Sequence, residues 1–297
     1  MKTLTLKNLV VYIEKEKFTP QNYERQMAYL QENTPFFQKV VFLEPENAAG
    51  LFDLSDMAAT ICLTTSPDMA KQMQGLGIAV LGFQAEEDEM MQANYVVLSL
   101  EQVTYRDFVR VFERYHGIPW QILETKRCRL REFCMDDLDD LFALYAKPHV
   151  TGFIEPLYEY EQERLYEETY IERIYGFYGF GMWLVFEKDS GKLIGRAGLE
   201  YREPCREGEA ELGYLITPEH WRKGYATEVC QAILSYAKDE LGMERIISHV
   251  DEKNLASRQF LKKWDFRENK CRTNGSILII CKGIPRDLLL FWRILTI

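Results

Sequence analysis

The stretch EAELGYLITPEHWRKGYATEV, Glu209–Val229, decides the fold. Glu209–Ile216 reads as a strand, with residues 209, 211, 213 and 215 on one face. From Tyr225 onward the period changes. Ala226, Val229, Ile233, Leu234 and Ala237 recur at helical spacing and face a core. Between strand and helix stand Trp221, Arg222, Lys223 and Gly224. A helix start already favours anions through its dipole. Cations there suit either a bound anion or a solvated loop.

Around this stretch the chain of 297 residues is long enough for two domains. It is 47% hydrophobic and 28% charged, a globular composition. With 36 basic and 46 acidic residues the formal charge is −10, so no bulk attraction for nucleic acid is expected and any anion site must be local. Seven scattered cysteines form no C-x-x-C pair, and Met1–Val10 has no signal-peptide pattern. A reducing, cytoplasmic setting follows as the expectation. No His/Cys cluster has metal-ligand spacing, and no apolar run reaches membrane-spanning length. Neither a metal nor a membrane is therefore expected.

The first half alternates strands and helices. Short apolar runs at Leu9–Ile13, Lys39–Leu43, Thr60–Thr64, Ile78–Leu81 and Tyr95–Leu98 suit a parallel sheet buried on both faces. Helical patterns lie at Gln21–Gln31, Asp68–Leu76 and Tyr105–Tyr115, with Ser66-Pro67 as N-cap and N1 and Gly77 as a stop. The expected architecture is α/β, a small doubly wound, mostly parallel sheet over residues 1–124. A second α/β domain is expected over 125–297.

That second half orders differently. A strand at Cys128–Phe133 precedes a helix at Met135–Ala146, whose acids Asp136, Asp137, Asp139 and Asp140 suit a helix start. A helix at Tyr160–Ile174 follows, then strands at Met182–Glu187, Leu193–Glu200 and Glu209–Ile216. After the helix that ends near Lys238 come a strand at Arg245–Val250 and a helix at Asn254–Lys263. Arg267–Arg272 and Ser276–Cys281 form a hairpin across Asn274-Gly275. The apolar tail Pro285–Ile297 reads as a docked terminal segment.

Three stretches of this half, EAELGYLITPEHWRKGYATEV, VDEKNLASRQFLKKWDF and GKLIGRAGLEY, together with the order of elements, resemble the GNAT superfamily of acyl-CoA-dependent N-acyltransferases, in its RimJ/RimL-like branch. The resemblance covers roughly Thr125–Gly283. It implies a mixed, mostly antiparallel sheet flanked by helices, and acetyl-CoA as co-substrate. Gly224 and Ala226 fill the small positions of the family's pyrophosphate loop, and Trp221 departs from its strict pattern. Small residues let a pyrophosphate approach the unpaired first-turn N–H groups. Arg222 and Lys223 add charge, with Tyr225 and Thr227 in the same turn. The cations are then placed for coenzyme A.

The resemblance further implies that the fourth strand of the fold splays from the fifth. Backbone groups of Leu215, Ile216 and Thr217 then bind pantetheine and polarise the thioester. Glu211, close to that splay, is the first candidate for the base, through a water, and Glu200 the second. The family's helical tyrosine is replaced by Leu261, and Asp265 stands where a glycine is usual. Ser257 is then the candidate to stabilise the thiolate. Asn254 and Arg258 are assigned to the coenzyme, and Glu228 to the helix dipole. The aromatic and acidic lip Phe153, Glu155, Tyr158, Tyr160 and Glu161 is expected to receive a cationic amine or a peptide N-terminus.

In the first half, Thr60–Gly117 resembles the core of HAD-like phosphatases, with Thr64 or Thr65 at the phosphate-binding hydroxyl. The family's Asp-x-Asp is replaced by Glu14-Lys15-Glu16. A glutamate is a methylene longer and misplaces the attack. A non-catalytic domain that binds, docks or regulates is expected. Three functions follow: an N-acetyltransferase, an acyl-CoA-binding sensor, or a scaffold whose tail and first domain make a homodimer.

Overall fold

The computed structural model describes residues 4–43, 56–84, 90–202, 205, 208–264, 266–273 and 276–282. The chain divides into two units, Met1–Ile118 and Pro119–Ile297.

The first unit runs β1 (Asn8–Tyr12), α1 (Pro20–Asn33), β2 (Lys39–Phe42), β3 (Thr60–Thr64), α2 (Pro67–Gly75), β4 (Ala79–Phe83), β5 (Tyr95–Val97) and α3 (Tyr105–Tyr115). Its five strands are all parallel, in the order β2-β1-β3-β4-β5. Strand alternation splits the core into two layers. Leu9, Val11, Ile61, Leu63 and Leu81 pack with Leu30 of α1 and Phe108 and Phe112 of α3. Val10, Cys62 and Val80 pack with Met69 and Met73 of α2. Helices therefore cover both faces, as the apolar strand runs require. Ser66 Oγ accepts the N–H of Met69 at 3.4 Å, with Pro67 opening α2. Gly77, at φ +77°, takes the left-handed turn past that helix.

The second unit adds β6 (Gln121–Glu124), β7 (Cys128–Arg131), α4 (Leu138–Tyr145), α5 (Tyr160–Tyr170), α6 (Gly176–Tyr178), β8 (Met182–Glu187), β9 (Leu193–Glu200), β10 (Glu209–Ile216), α7 (Tyr225–Asp239), β11 (Arg245–Asp251), α8 (Leu255–Lys262), β12 (Phe266–Thr273) and β13 (Ser276–Lys282). The sheet has eight strands in the order β12-β13-β11-β10-β9-β8-β7-β6. Every neighbouring pair is antiparallel except β10 and β11.

Several boundaries differ from the sequence reading. Gln121–Glu124 is an edge strand on β7, so the divide falls before Pro119 and not near residue 124. A four-residue run with a polar residue at each end carries too little periodicity to announce itself. The helix expected from Met135 starts as a 3-10 turn, Met135–Asp137. There Asp137 accepts from Cys134 N at 2.9 Å and from both terminal nitrogens of Arg131 at 2.6 Å. Beyond Tyr170, α5 widens into a π-helical stretch, Ile171–Tyr175, before α6. Asp265, the Asn274-Gly275 turn and the tail Pro285–Ile297 lie outside the described residues.

The sheet's centre is drawn tight by glycines facing backbone. A Cβ on Gly198 of β9 would press onto the carbonyl oxygen of Gly181, and one on Gly195 onto that of Leu215. A backbone neighbour cannot swing aside. Gly198→Ala is expected to lower unfolding free energy by about 1–3 kcal/mol, read by urea denaturation. A wild-type midpoint would mean that the strands part without strain.

Candidate active site

Strand β10 treats its two neighbours differently. It pairs with β9 from Glu211 to Ile216. It pairs with β11 only at Glu209, Ala210 and Glu211, opposite Arg245, Ile246 and Ile247. Beyond that point β11 continues against β13 as far as Asp251, and a gap opens beside β10. Thr217 N–H donates to Ile194 O at 2.8 Å, so Thr217, and by alternation Leu215 and Gly213, turn their peptide groups toward β9. Leu212, Tyr214 and Ile216 turn theirs toward the gap. Leu212 O accepts from Ser248 Oγ at 3.0 Å and Ile216 O from Trp221 Nε1 at 2.6 Å. Tyr214 lies between these two closures. The expectation that Leu215 and Thr217 offer backbone groups to a thioester is therefore corrected. Strand alternation turns the peptide group of Tyr214, and not those of Leu215 and Thr217, toward the gap, and Ile216 O already accepts from an indole.

The loop after β10 is a built mouth to this gap. Thr217 Oγ1 meets His220 Nδ1 at 2.7 Å, and the Trp221 indole ties the loop back to the strand end. Arg222 (φ +58°) and Gly224 (φ +84°) are both left-handed. This is uncommon for an arginine, and it turns the chain into α7. Gly224 is the N-cap of α7 and supplies no side-chain cap. The first-turn N–H groups of Tyr225, Ala226 and Thr227 thus have no intrahelical acceptor and no capping oxygen. Arg222, Lys223 and Thr227 are exposed beside them. This arrangement fits a pyrophosphate.

Arg127, which the sequence reading passed over, braces that loop. Its Nη1 donates to Lys223 O at 3.0 Å, and its guanidinium lies 4.0 Å from the Tyr225 ring centroid. Glu228 accepts from Arg127 Nε at 2.7 Å, Arg127 N at 2.6 Å and Thr125 Oγ1 at 2.6 Å. The carboxylate expected to serve the helix dipole thus ties α7 to the start of β7. Burial works to raise its pKa, and these hydrogen bonds outweigh burial to hold it below the usual carboxylate range. The Tyr225 phenol donates to Glu187 Oε1 at 2.5 Å, so its side chain serves the fold and its N–H faces the mouth. No local pattern links Arg127 to residues a hundred positions on, which is why sequence alone missed it.

On the far side of the gap, Asn254 Oδ1 accepts from Ser257 N at 3.0 Å and caps α8. The Arg258 side chain turns back onto Glu252 O at 3.0 Å. Ser257 Oγ and the Tyr214 hydroxyl are 2.7 Å apart. Burial pushes the Tyr214 phenol well up, which keeps it protonated. Leu261 is buried in the core. A phenol missing from α8 is therefore present beside it, carried by β10.

Glu200 and Glu211 stand directly opposite each other across β9 and β10, on one face. Glu200 accepts from the Tyr170 hydroxyl at 2.9 Å and pairs with Arg202 Nε at 3.0 Å. Glu211 turns both oxygens to His249: Oε1 accepts the backbone N–H at 3.3 Å, and Oε2 is 3.1 Å from Nδ1. Of the lip residues, Phe153, Tyr158 and Tyr160 are exposed, as is the neighbouring Tyr166. Tyr160 OH donates to Asp139 at 2.8 Å. His249 was absent from the sequence reading because only the β10–β11 register brings it to Glu211.

Comparison with known proteins settles the family. The Acetyltransferase (GNAT) domain family matches residues 127–267. The uncharacterized N-acetyltransferase YoaA of Bacillus subtilis is 34% identical over 149 residues, which span 50% of this chain and 83% of that protein. The chain belongs to the GNAT acetyltransferase family. It is an acyl-CoA-dependent N-acetyltransferase, with acetyl-CoA as co-substrate. The uncharacterized protein YkkB of the same organism is 31% identical over 144 residues, 48% of this chain and 82% of that one. A GNAT-family acetyltransferase structure from Bacillus anthracis aligns at a TM-score of 0.45 and 22% identity, covering 54% of this chain and 97% of that one.

In this GNAT unit Glu228→Gln is expected to destabilise the fold by about 1–2 kcal/mol at neutral pH. Because the folded pKa is depressed, the contribution is complete above the unfolded carboxylate range, about pH 4.3, and is lost as pH falls through the lower folded value. Melting curves of wild type and variant should converge on the acid side. Parallel curves down to pH 3 would refute the charged brace.

Proposed function

We propose that this chain transfers the acetyl group of acetyl-CoA to a primary amine, a peptide N-terminus or a small-molecule amine, by direct attack. The observation that carries this reading is the half-open β10/β11 pair with the uncapped start of α7 at its mouth. Acyl transfer needs a neutral amine, a held oxyanion and a stabilised thiolate. The N–H groups of Tyr225, Ala226 and Thr227, with Gly224 giving close approach and Arg222 and Lys223 giving charge, serve the phosphates. Asn254 and Arg258 are assigned to the same coenzyme. The Tyr214 peptide serves the thioester oxygen. The hydroxyls of Ser257 and Tyr214 serve the sulfur by hydrogen bonding. Glu211 and Glu200 lie where the amine loses its proton.

The acceptor is read as cationic before that loss. Two carboxylates on one face and exposed aromatic rings beyond them favour an ammonium group. The net charge of −10 argues against a nucleic-acid partner. Free cysteines at 62, 128, 134, 205 and 230 agree with a cytoplasmic setting.

For the first unit we keep the reading of a non-catalytic, HAD-like domain that docks or regulates. At the end of β1, Glu14 pairs with Lys17 at 2.8 Å, and the Thr65 hydroxyl accepts from Glu14 N at 2.9 Å. Groups so engaged favour structure over attack on a phosphate.

Thiol release from acetyl-CoA, measured with N-terminal peptides, polyamines and aminoglycosides, tests the proposal. Turnover with an acceptor is expected. Arg222→Ala with Lys223→Ala should raise the KM for acetyl-CoA about tenfold and leave kcat within about threefold. Tight acetyl-CoA binding without turnover would favour the acyl-CoA sensor, and no binding at all would favour a scaffold.

A further inference from the structure

The carboxylate closest to the opening is not presented to it. Glu211 directs one oxygen to the His249 N–H and the other to the His249 ring. Its side chain is 13% exposed, against 24% for His249. Glu200 is held by Tyr170 and Arg202. The imidazole is thus the better presented basic group at this point of the sheet. A carboxylate beside Nδ1 selects the tautomer with its proton there, which leaves the lone pair on Nε2, the nitrogen turned away from Glu211. Position agrees. His249 follows the last residue of β11 paired with β10, Ile247, by two, and so stands where the two strands have parted.

We propose that His249 is the proton acceptor of the transfer reaction and that Glu211 is a positioning residue acting through it. This rests on the acetyltransferase reading above and names the atom that completes it. The amine nitrogen forms its bond to the thioester carbonyl carbon, and the carbon–sulfur bond breaks. The proton lost by nitrogen passes to His249 Nε2, and the departing thiolate takes a proton from water. The imidazolium then returns its proton to solvent, so atoms and charge balance without a further reactant. Glu211 stabilises the imidazolium while it exists.

The full-length chain, acetyl-CoA and the same acceptor panel provide the test. His249→Ala is expected to lower kcat on the order of 10²–10³-fold, with the KM for acetyl-CoA within about twofold and about tenfold recovery on adding imidazole. His249→Asn should show the same loss and a wild-type melting temperature, which separates chemistry from folding. Glu211→Gln should lose about tenfold in kcat and gain nothing from imidazole, because the ring it positions is still present. Wild-type turnover that survives His249→Ala within about threefold would overturn the assignment alone. So would a loss that imidazole leaves unchanged. A wild-type chain without turnover on any acceptor would overturn the transferase reading, and this inference with it.

Discussion

The strand pairing of β10 with β11 is confined to Glu209, Ala210 and Glu211, and the rest of the second unit is arranged around where that pairing stops. Parallel strands with an open end leave peptide groups that must find other partners. Ser248 and Trp221 each supply one, from opposite ends of the gap. The remaining stretch, at Tyr214, faces the gap, and in the proposed function a ligand amide or a thioester oxygen takes the place of the missing strand there. The opening is stable because β10 stays paired with β9 and β11 stays paired with β13. β11 keeps a ladder along its whole length, and β10 keeps one along the length of the gap.

The same constraint explains the bracing of the loop. A left-handed Arg222 and an uncapped helix start are both unfavourable when considered alone. Arg127 compensates by holding the Lys223 carbonyl, the Tyr225 ring and Glu228 at once, which fixes the loop against β7. The first turn of α7 therefore keeps its N–H groups directed outward with no residue of its own covering them. Stability here is supplied from behind the loop, and the front is left for an anion.

Much of this was legible in the sequence. The change of period between Glu209–Ile216 and the helix after Tyr225 located the mouth, and β8, β9 and β10 run as their alternation implied. The parallel sheet of the first unit followed from its apolar runs. What sequence could not reach was pairing across distance. Arg127 with Glu228, Tyr214 with Ser257, and His249 with Glu211 join residues whose separation carries no periodic signal. The misjudged backbone groups have the same origin. A strand's alternation is visible in its sequence, but which edge meets β9 depends on register. Leu215 and Thr217 were one residue out of phase with the gap.

Glu211 sits at the junction of these arguments. It is the last residue of β10 that pairs with β11, and its carboxylate takes the next N–H that β11 frees, that of His249. A neutral side chain could cap that N–H equally well. A carboxylate costs more to bury and faces a like charge on Glu200. The second oxygen, against the imidazole, is what a neutral cap would not provide with a full charge. The position thus favours a group that closes the sheet with one atom and orients the ring of its neighbour with the other. Where β10 and β11 part, the structural need for a cap and the chemical need for an oriented base are met by one side chain.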